Sequence, residues 1–176
     1  ILDLSTIEKG NMQTNLQSFQ PAALILQVCD ALSPLLSQHK NRLELNLKGA
    51  EGHTMLSDPG KVQQIVTNLF SNACKFTDGG TVSVAANISE GQLVFAVTDD
   101  GIGMTPEQQG RVFDAFIQAE ATTGTKYGGT GLGLSIVKDF CTMLGGEISL
   151  ASTPDAGSCF TVTLPITGPV LNPEAA

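Results

Sequence analysis

The sequence predicts an α+β fold: a two-layer α/β sandwich whose mixed, mostly antiparallel sheet is covered by helices on one face. Three observations carry this. Residues 81–88 and 92–98, and again 147–152 and 159–164, read as pairs of alternating strands joined by turn residues, the pattern of two hairpins. Segments with helical periodicity are grouped with these strands rather than strictly alternating with them. A chain of 176 residues with 41% hydrophobic content is long enough for one domain with a sizeable core.

Taken in order, residues 1–11 (ILDLSTIEKGN) read as the last turns of an amphipathic helix, stopped by Gly10 and Asn11. They are too short to stand alone and read as the stub of an element further upstream. The main domain spans residues 12–166, and 167–176 form a Gly/Pro-rich tail or linker. Within the domain, Met12 to Phe19 reads as a strand. Pro21 opens a helix with apolar Leu24, Ile25, Val28, Leu32 and Leu35, and Pro34 is expected near its end. Leu43, Leu45 and Leu47 alternate with polar residues as a strand, and His53 to Ser57 gives a short second one. Asp58 is an N-cap and Pro59 a first helical residue.

The helix they open carries the most information. In KVQQIVTNLFSNACKFT, Val62, Ile65, Val66, Leu69, Ala73 and Phe76 recur at the spacing of one buried face. Gln64, Asn68, Asn72 and Lys75 fall within an arc of roughly 80° beside that face, at about 100° per residue. A carboxamide oxygen can ligate a hard cation, and an ammonium suits phosphate oxygens. The alternative is a solvent face that happens to contain Asn and Gln.

After the first hairpin comes DDGIGM, residues 99–104, with Asp99 at a strand end and Gly101 and Gly103 in the loop. Such a carboxylate can accept from an exocyclic amine such as adenine N6. A tight turn whose Asp bonds its own backbone is the competing reading. Thr105-Pro106-Glu107 starts a short helix through Val112, followed by Phe113 and Phe116. Residues 117–130 form a long segment with little periodicity, a length that usually signals function or disorder. Gly128 to Leu134 (GGTGLGL) then leads into a helix over 132–144, where free amides and the helix dipole favour phosphate. No strand precedes it, as a dinucleotide fingerprint would need, and no Gly-Lys-Ser/Thr ends it, as a P-loop would.

Charge and composition exclude other classes. A net charge of −8 disfavours nucleic acid and an anionic membrane surface, so a polyanion would have to be met through a metal ion and backbone amides. No apolar run approaches the roughly 18 residues of a membrane span. The chain opens on Ile1 rather than methionine, which suits a fragment. Cys29, Cys74, Cys141 and Cys159 lack metal-ligand spacing and read as free thiols in a reducing compartment. His39 and His53 read as ordinary surface or packing residues.

These features, in this order and spacing, resemble the catalytic, ATP-binding domain of sensor histidine kinases, within the superfamily that includes gyrase, MutL and heat-shock chaperone ATPases. NLFSNACKFT resembles the asparagine box, DDGIGM and GGTGLGLSI the two glycine boxes, FDAF the phenylalanine box, and LGGEISLASTPDAGSCFTVTLP the closing segment. The resemblance covers roughly residues 12–166. It implies a Bergerat-type ATP-binding fold with ATP and Mg²⁺ between the asparagine-box helix and a lid over Ile117 to Thr130. It assigns adenine to Asp99, with Gly101 and Gly103 in the same loop. Mg²⁺ falls to Asn72, with Asn68 close by, and a phosphate to Lys75. The segment Gly129, Thr130, Gly131, Leu132 and Gly133 would face the phosphate chain, joined by Lys126 from the lid. Thr125 stands where many relatives carry arginine, leaving Lys126 as the lid's only cation.

The resemblance further implies a protein-histidine kinase catalytic domain of a two-component system. Its partners would be a dimerisation domain carrying the phosphoacceptor histidine, in a homodimeric kinase, and a response regulator or receiver domain. The domain would be cytoplasmic, without nucleic acid or direct membrane contact, although the parent kinase can be membrane-anchored. Residues 3–12 (DLSTIEKGNM) resemble the end of the dimerisation domain's second helix. Superfamily hydrolases place a Glu base four residues before the metal-binding Asn; here that position is Asn68, which cannot take a proton, so transfer to histidine outranks hydrolysis. An anti-sigma type serine kinase is disfavoured by the N-terminal stub. A nucleotide-binding pseudokinase is the non-enzymatic alternative, disfavoured by the intact Asn72, Asp99 and glycines.

Overall fold

Asp58 starts the helix on which the rest packs. Its side chain accepts from the Lys61 backbone N–H, Pro59 fills the first turn, and helix α3 runs Pro59–Phe76. The computed structural model describes residues 14–114 and 133–168. Before α3 come β1 (Gln17–Phe19), α1 (Pro21–Ala31), α2 (Ser33–Gln38), β2 (Arg42–Gly49) and β3 (Met55–Ser57). After it come β4 (Thr81–Ser89), β5 (Gln92–Asp99), α4 (Pro106–Arg111), α5 (Gly133–Met143), β6 (Glu147–Thr153) and β7 (Gly157–Pro165).

The main sheet has the order β2-β4-β5-β7-β6. Only β2 and β4 run parallel; the other pairs are antiparallel, giving the mixed, mostly antiparallel sheet expected. The first hairpin closes on a two-residue turn, because Ser89 pairs with Gln92 while Glu90 and Gly91 take φ of 52° and 75°. Two positive φ values are the primed geometry that matches strand twist. Alternate residues Val82, Val84 and Ala86, Leu93, Phe95 and Val97, and Phe160, Val162 and Leu164 are buried on one face. They meet α3 and α5, with Ile65, Leu69 and Phe70 at the centre. Burying a Phe or Leu there stabilises the fold by roughly 1.5–3 kcal/mol each.

Several expected boundaries move. Residues 21–35 do not make one helix: α1 ends at Ala31, and Pro34 lies in the first turn of α2. Proline lacks the N–H that a continuing helix would use and clashes with the preceding turn, whereas a first turn needs no such donor. Of the strand expected over 12–19, residues 12 and 13 lie outside the described residues; from Thr14 on it is regular only over Gln17–Phe19, which pairs with β3 in a separate two-stranded sheet that the sequence did not suggest. Leu47 is buried, but Leu45 is 40% exposed because β2 is the sheet's edge.

The calls on residues 1–11, and most of the 167–176 tail, lie outside the described residues. All four cysteines are free thiols; burial pushes Cys29 and Cys141 up to about 12 and Cys74 to about 11. Among the described residues no helix is long and apolar enough to cross a membrane, and no group of three His, Cys, Asp or Glu could hold a metal ion.

Candidate nucleotide-binding site

The polar flank of α3 begins with Gln64, whose Nε2 donates to Asn68 Oδ1 at 3.2 Å. Asn68 Nδ2 in turn donates to the carbonyl of Gly133, the first residue of α5, also at 3.2 Å. Asn68 therefore joins the middle of α3 to the start of α5. One turn further on is Asn72, and Lys75 follows; both are half-buried, and neither side chain has a hydrogen bond or ion pair among the described residues. One more turn brings Phe76, whose carbonyl accepts the Ile102 N–H at 3.2 Å. Residues 68, 72 and 76 share one side of the helix. Asn72 thus sits a turn from the α5 contact on one side and a turn from the DDGIGM loop on the other.

That loop is shaped by close approach. A Cβ on Gly101 would collide with the Phe76 carbonyl, and one on Gly103, at φ +63°, with the Thr153 carbonyl. Only glycine fits either place. The loop is pinned on its other side by Asp155 N–H to the Ile102 carbonyl and Met104 N–H to Ser152 Oγ, both 2.8 Å. Asp99 ends β5 at 8% exposure, with Oδ1 accepting the Gly101 N–H at 3.0 Å. Burial pushes its carboxyl above the ordinary value; hydrogen bonds from the Gly101 and Ser158 backbones and from the Thr77 hydroxyl pull the other way. Asp100 differs: it is exposed, and its carboxylate accepts the Thr81 N–H at 2.8 Å as a strand-start clasp.

The structure brings Asn68, Gly133, Asn72, Lys75, Asp99, Gly101 and Gly103 around the C-terminal half of α3. Lys126, Gly129, Thr130, Gly131, Leu132 and the 117–130 lid lie outside the described residues, as does Phe116. Phe113, the first phenylalanine of FDAF, stacks edge-on against Phe160 at 6.3 Å. Sequence reasoning missed Asn41, whose Nδ2 donates to the carbonyls of Cys74 and Thr77 at 2.9 Å while its Oδ1 accepts the Gly80 N–H. It thereby satisfies carbonyls at the end of α3. It also missed Thr77 and Ser158, buried beside Asp99. A lone Asn or Thr in a connecting segment has no periodic signal that could have revealed it.

A family model described as Histidine kinase-, DNA gyrase B-, and HSP90-like ATPase matches residues 57–168, and the chain belongs to that family. Its similar curated relatives are sensor kinases. The chain is 35% identical over 168 residues to the sensor protein TorS of Escherichia coli (strain K12), covering 94% of this chain and 18% of that protein. It is 35% identical over 170 residues to the autoinducer 2 sensor kinase/phosphatase LuxQ of Vibrio cholerae, covering 94% of this chain and 20% of that protein. The chain thus spans about a fifth of the length of these relatives. Among solved structures, full-length ShkA in complex with AMPPNP superposes with a TM-score of 0.82 at 27% identity, over 93% of this chain and 34% of that one.

Proposed function

We propose that this domain is the ATP-binding catalytic domain of a two-component sensor histidine kinase, binding Mg-ATP and passing its γ-phosphate to a histidine on a dimerisation domain of the parent protein. The observation that supports this most is on α3. Asn72 and Lys75, a neutral oxygen ligand and a cation, have no side-chain partners among the described residues and lie between the start of α5 and the buried Asp99. This donor set fits a Mg-nucleotide: Asp99 suits an exocyclic amine, Asn72 a hard cation and Lys75 a phosphate oxygen. Lys126 and the amides of Gly129, Gly131 and Gly133 complete the phosphate contacts by the resemblance. Bound Mg²⁺ supplies neutralisation of charge on the phosphate oxygens. The chain's own residues bind and orient, which is most of what phosphoryl transfer requires.

Hydrolysis is disfavoured twice. Asn68 cannot act as a base, and its carboxamide is engaged at both ends, by Gln64 and by Gly133. The implied partners are a second kinase copy and a response regulator or receiver domain. A cytoplasmic location agrees with the free thiols.

The test is incubation with γ-labelled ATP. Alone, the domain should neither label itself nor turn over ATP appreciably. Supplied with its parent dimerisation domain, it should place an acid-labile, base-stable phosphate there. Label on His39 or His53 would contradict the assignment, and brisk turnover by the domain alone would favour a hydrolase.

A further inference from the structure

Two polar contacts bolt α3 to α5, and they lie at matching intervals along both helices. Asn68 Nδ2 donates to the Gly133 carbonyl at 3.2 Å, and Lys61 Nζ stands 5.8 Å from the centre of the Phe140 ring. Lys61 and Asn68 are two turns apart on one face of α3, and Gly133 and Phe140 are two turns apart on α5. The helices therefore run antiparallel here, with about 10 Å of helix between the two contacts. Because α5 is one continuous helix, a shift at its Gly133 end is carried to Phe140.

Lys61 belongs to a second junction as well. Its Nζ bonds Asp58 Oδ2 at 2.8 Å, and the same oxygen accepts the Asn15 N–H, just ahead of β1, at 2.9 Å. Asp58 Oδ1 is occupied by the Lys61 backbone N–H as the cap of α3. The Lys61 and Asp58 side chains are only 12% and 9% exposed. An ammonium withdrawn from water is costly unless paired, and here it meets a carboxylate and the face of an aromatic ring. Neither the helix cap, which uses the backbone N–H, nor packing on Phe140 requires a charge at this position. The ammonium is what joins the two contacts.

We propose that Lys61 is a positioning residue that ties the Asn68–Gly133 end of the nucleotide site, through α5 and Phe140, to the Asn15–Asp58 contact where the chain leads into β1. This rests on the ATP-binding reading above. Lys61 acts at a distance, two helical turns before Asn68. Nucleotide that fixes Gly133 fixes how α5 lies along α3. That keeps Lys61 between Phe140 and Asp58, and so keeps Oδ2 under the Asn15 N–H. Coupling of this kind is reciprocal: loosening Asn15 from Asp58 weakens nucleotide binding by the factor that nucleotide strengthens the contact.

The experiment is amide hydrogen exchange at Asn15, read by NMR with and without saturating Mg-ATP, in the unmodified domain, Lys61→Met and Lys61→Arg. ATP affinity and ligand-free melting temperature are measured on each by calorimetry. In the unmodified domain ATP should slow exchange at Asn15 by about fivefold or more, the low end of ordinary coupling between sites. Lys61→Met keeps the helix cap and the apolar stem but loses the ammonium, so the effect of ATP at Asn15 should disappear. Lys61→Arg, whose guanidinium can also bond a carboxylate and lie over a ring, should restore it. A lysine that only stabilises the fold would lower the melting temperature of Lys61→Met and leave the response at Asn15 in place, which would overturn the proposal. An Asn15 amide that does not respond to bound ATP in the unmodified domain would overturn it too. If calorimetry shows that the unmodified domain binds no ATP, the ATP-binding reading itself fails, and with it this inference.

Discussion

Asp99→Asn tests base recognition, because the structure fixes which way the new carboxamide must turn. Asp99 Oδ1 accepts the Gly101 N–H at 3.0 Å. In the variant that corner has to be the amide oxygen, since an NH₂ there would face an N–H. The NH₂ then occupies the other corner, on the side where the proposed adenine contact falls. Adenine would bring its N6 amine against it, donor against donor. The variant loses a hydrogen bond to a charged group, worth roughly 1.5–3 kcal/mol, and leaves a donor unsatisfied, so about 2–4 kcal/mol of binding is at stake. That corresponds to ATP binding weaker by about 30-fold or more. Inosine triphosphate carries a carbonyl at position 6. It should be rejected by the unmodified protein and accepted by Asp99→Asn, so the preference reverses rather than merely weakening.

The same substitution has an opposite effect on the empty fold. Burial raises the Asp99 pKa above its ordinary 3.8, so folding favours the protonated form. The stability this group contributes is full below the unfolded value and is lost as pH rises through the folded one. At neutral pH Asp99→Asn should therefore melt higher than the unmodified domain without ligand, and the gain should shrink below the ordinary carboxylate pKa. Calorimetry with ATP and inosine triphosphate, and melting curves across pH, read both arms. An unchanged ratio of the two affinities would refute the base contact. A lower melting temperature at neutral pH would show that the charged carboxylate, through the Gly101 and Ser158 amides, holds the fold together.

Two further outcomes follow from α3. Asn72→Ala should abolish the Mg²⁺-dependent part of ATP binding, read by titration with and without EDTA, while unfolding free energy stays within about 0.5 kcal/mol, because no described partner is orphaned. Asp58→Ala should cost about 2–3 kcal/mol by urea unfolding, since it removes the cap on Lys61 N–H, the Asn15 N–H contact and the 2.8 Å pair with Lys61 Nζ. Burial alone would raise the Asp58 pKa, but these hydrogen bonds outweigh it and hold it below 3.8. Its contribution is thus present above the unfolded pKa and lost as pH falls through the folded one, so Ala and Asp variants should converge only in acid.

The sheet, its two hairpins and the caps of α3 and α4 were legible because each rests on local chemistry. Alternation gave β4, β5, β6 and β7, and the helix start expected at Thr105-Pro106-Glu107 is secured by a capping box between Thr105 and Gln108. The break between α1 and α2 could be read only by weighing Pro34 as a starter instead of a stopper, a choice that depends on tertiary packing. The pairing of β1 with β3 was invisible, because three-residue strands show no period and residues 20–54, which form α1, α2 and β2, lie between them. In the site, helical geometry alone placed Asn68, Asn72 and Lys75 on one flank. The partners of Asn68 could not be read, because Gly133 is brought in by the fold and not by spacing.

The glycines of DDGIGM show why a motif needs its geometry. From the letters, both could be taken as amides facing a nucleotide. In the structure the Gly101 N–H is bonded to Asp99, and Gly101 and Gly103 are required by the carbonyls of Phe76 and Thr153. The turn-forming reading therefore holds for the Gly101 N–H and for the close approach of both glycines. Glycine lets the loop press against the end of α3, and that contact holds Asp99 buried beside Thr77. Buried polar groups are ordinarily satisfied by the protein. What distinguishes the proposed nucleotide site from a tight turn is therefore not the glycines but the buried Asp99 they help hold, with Asn72 and Lys75 lacking side-chain partners among the described residues along the same helix.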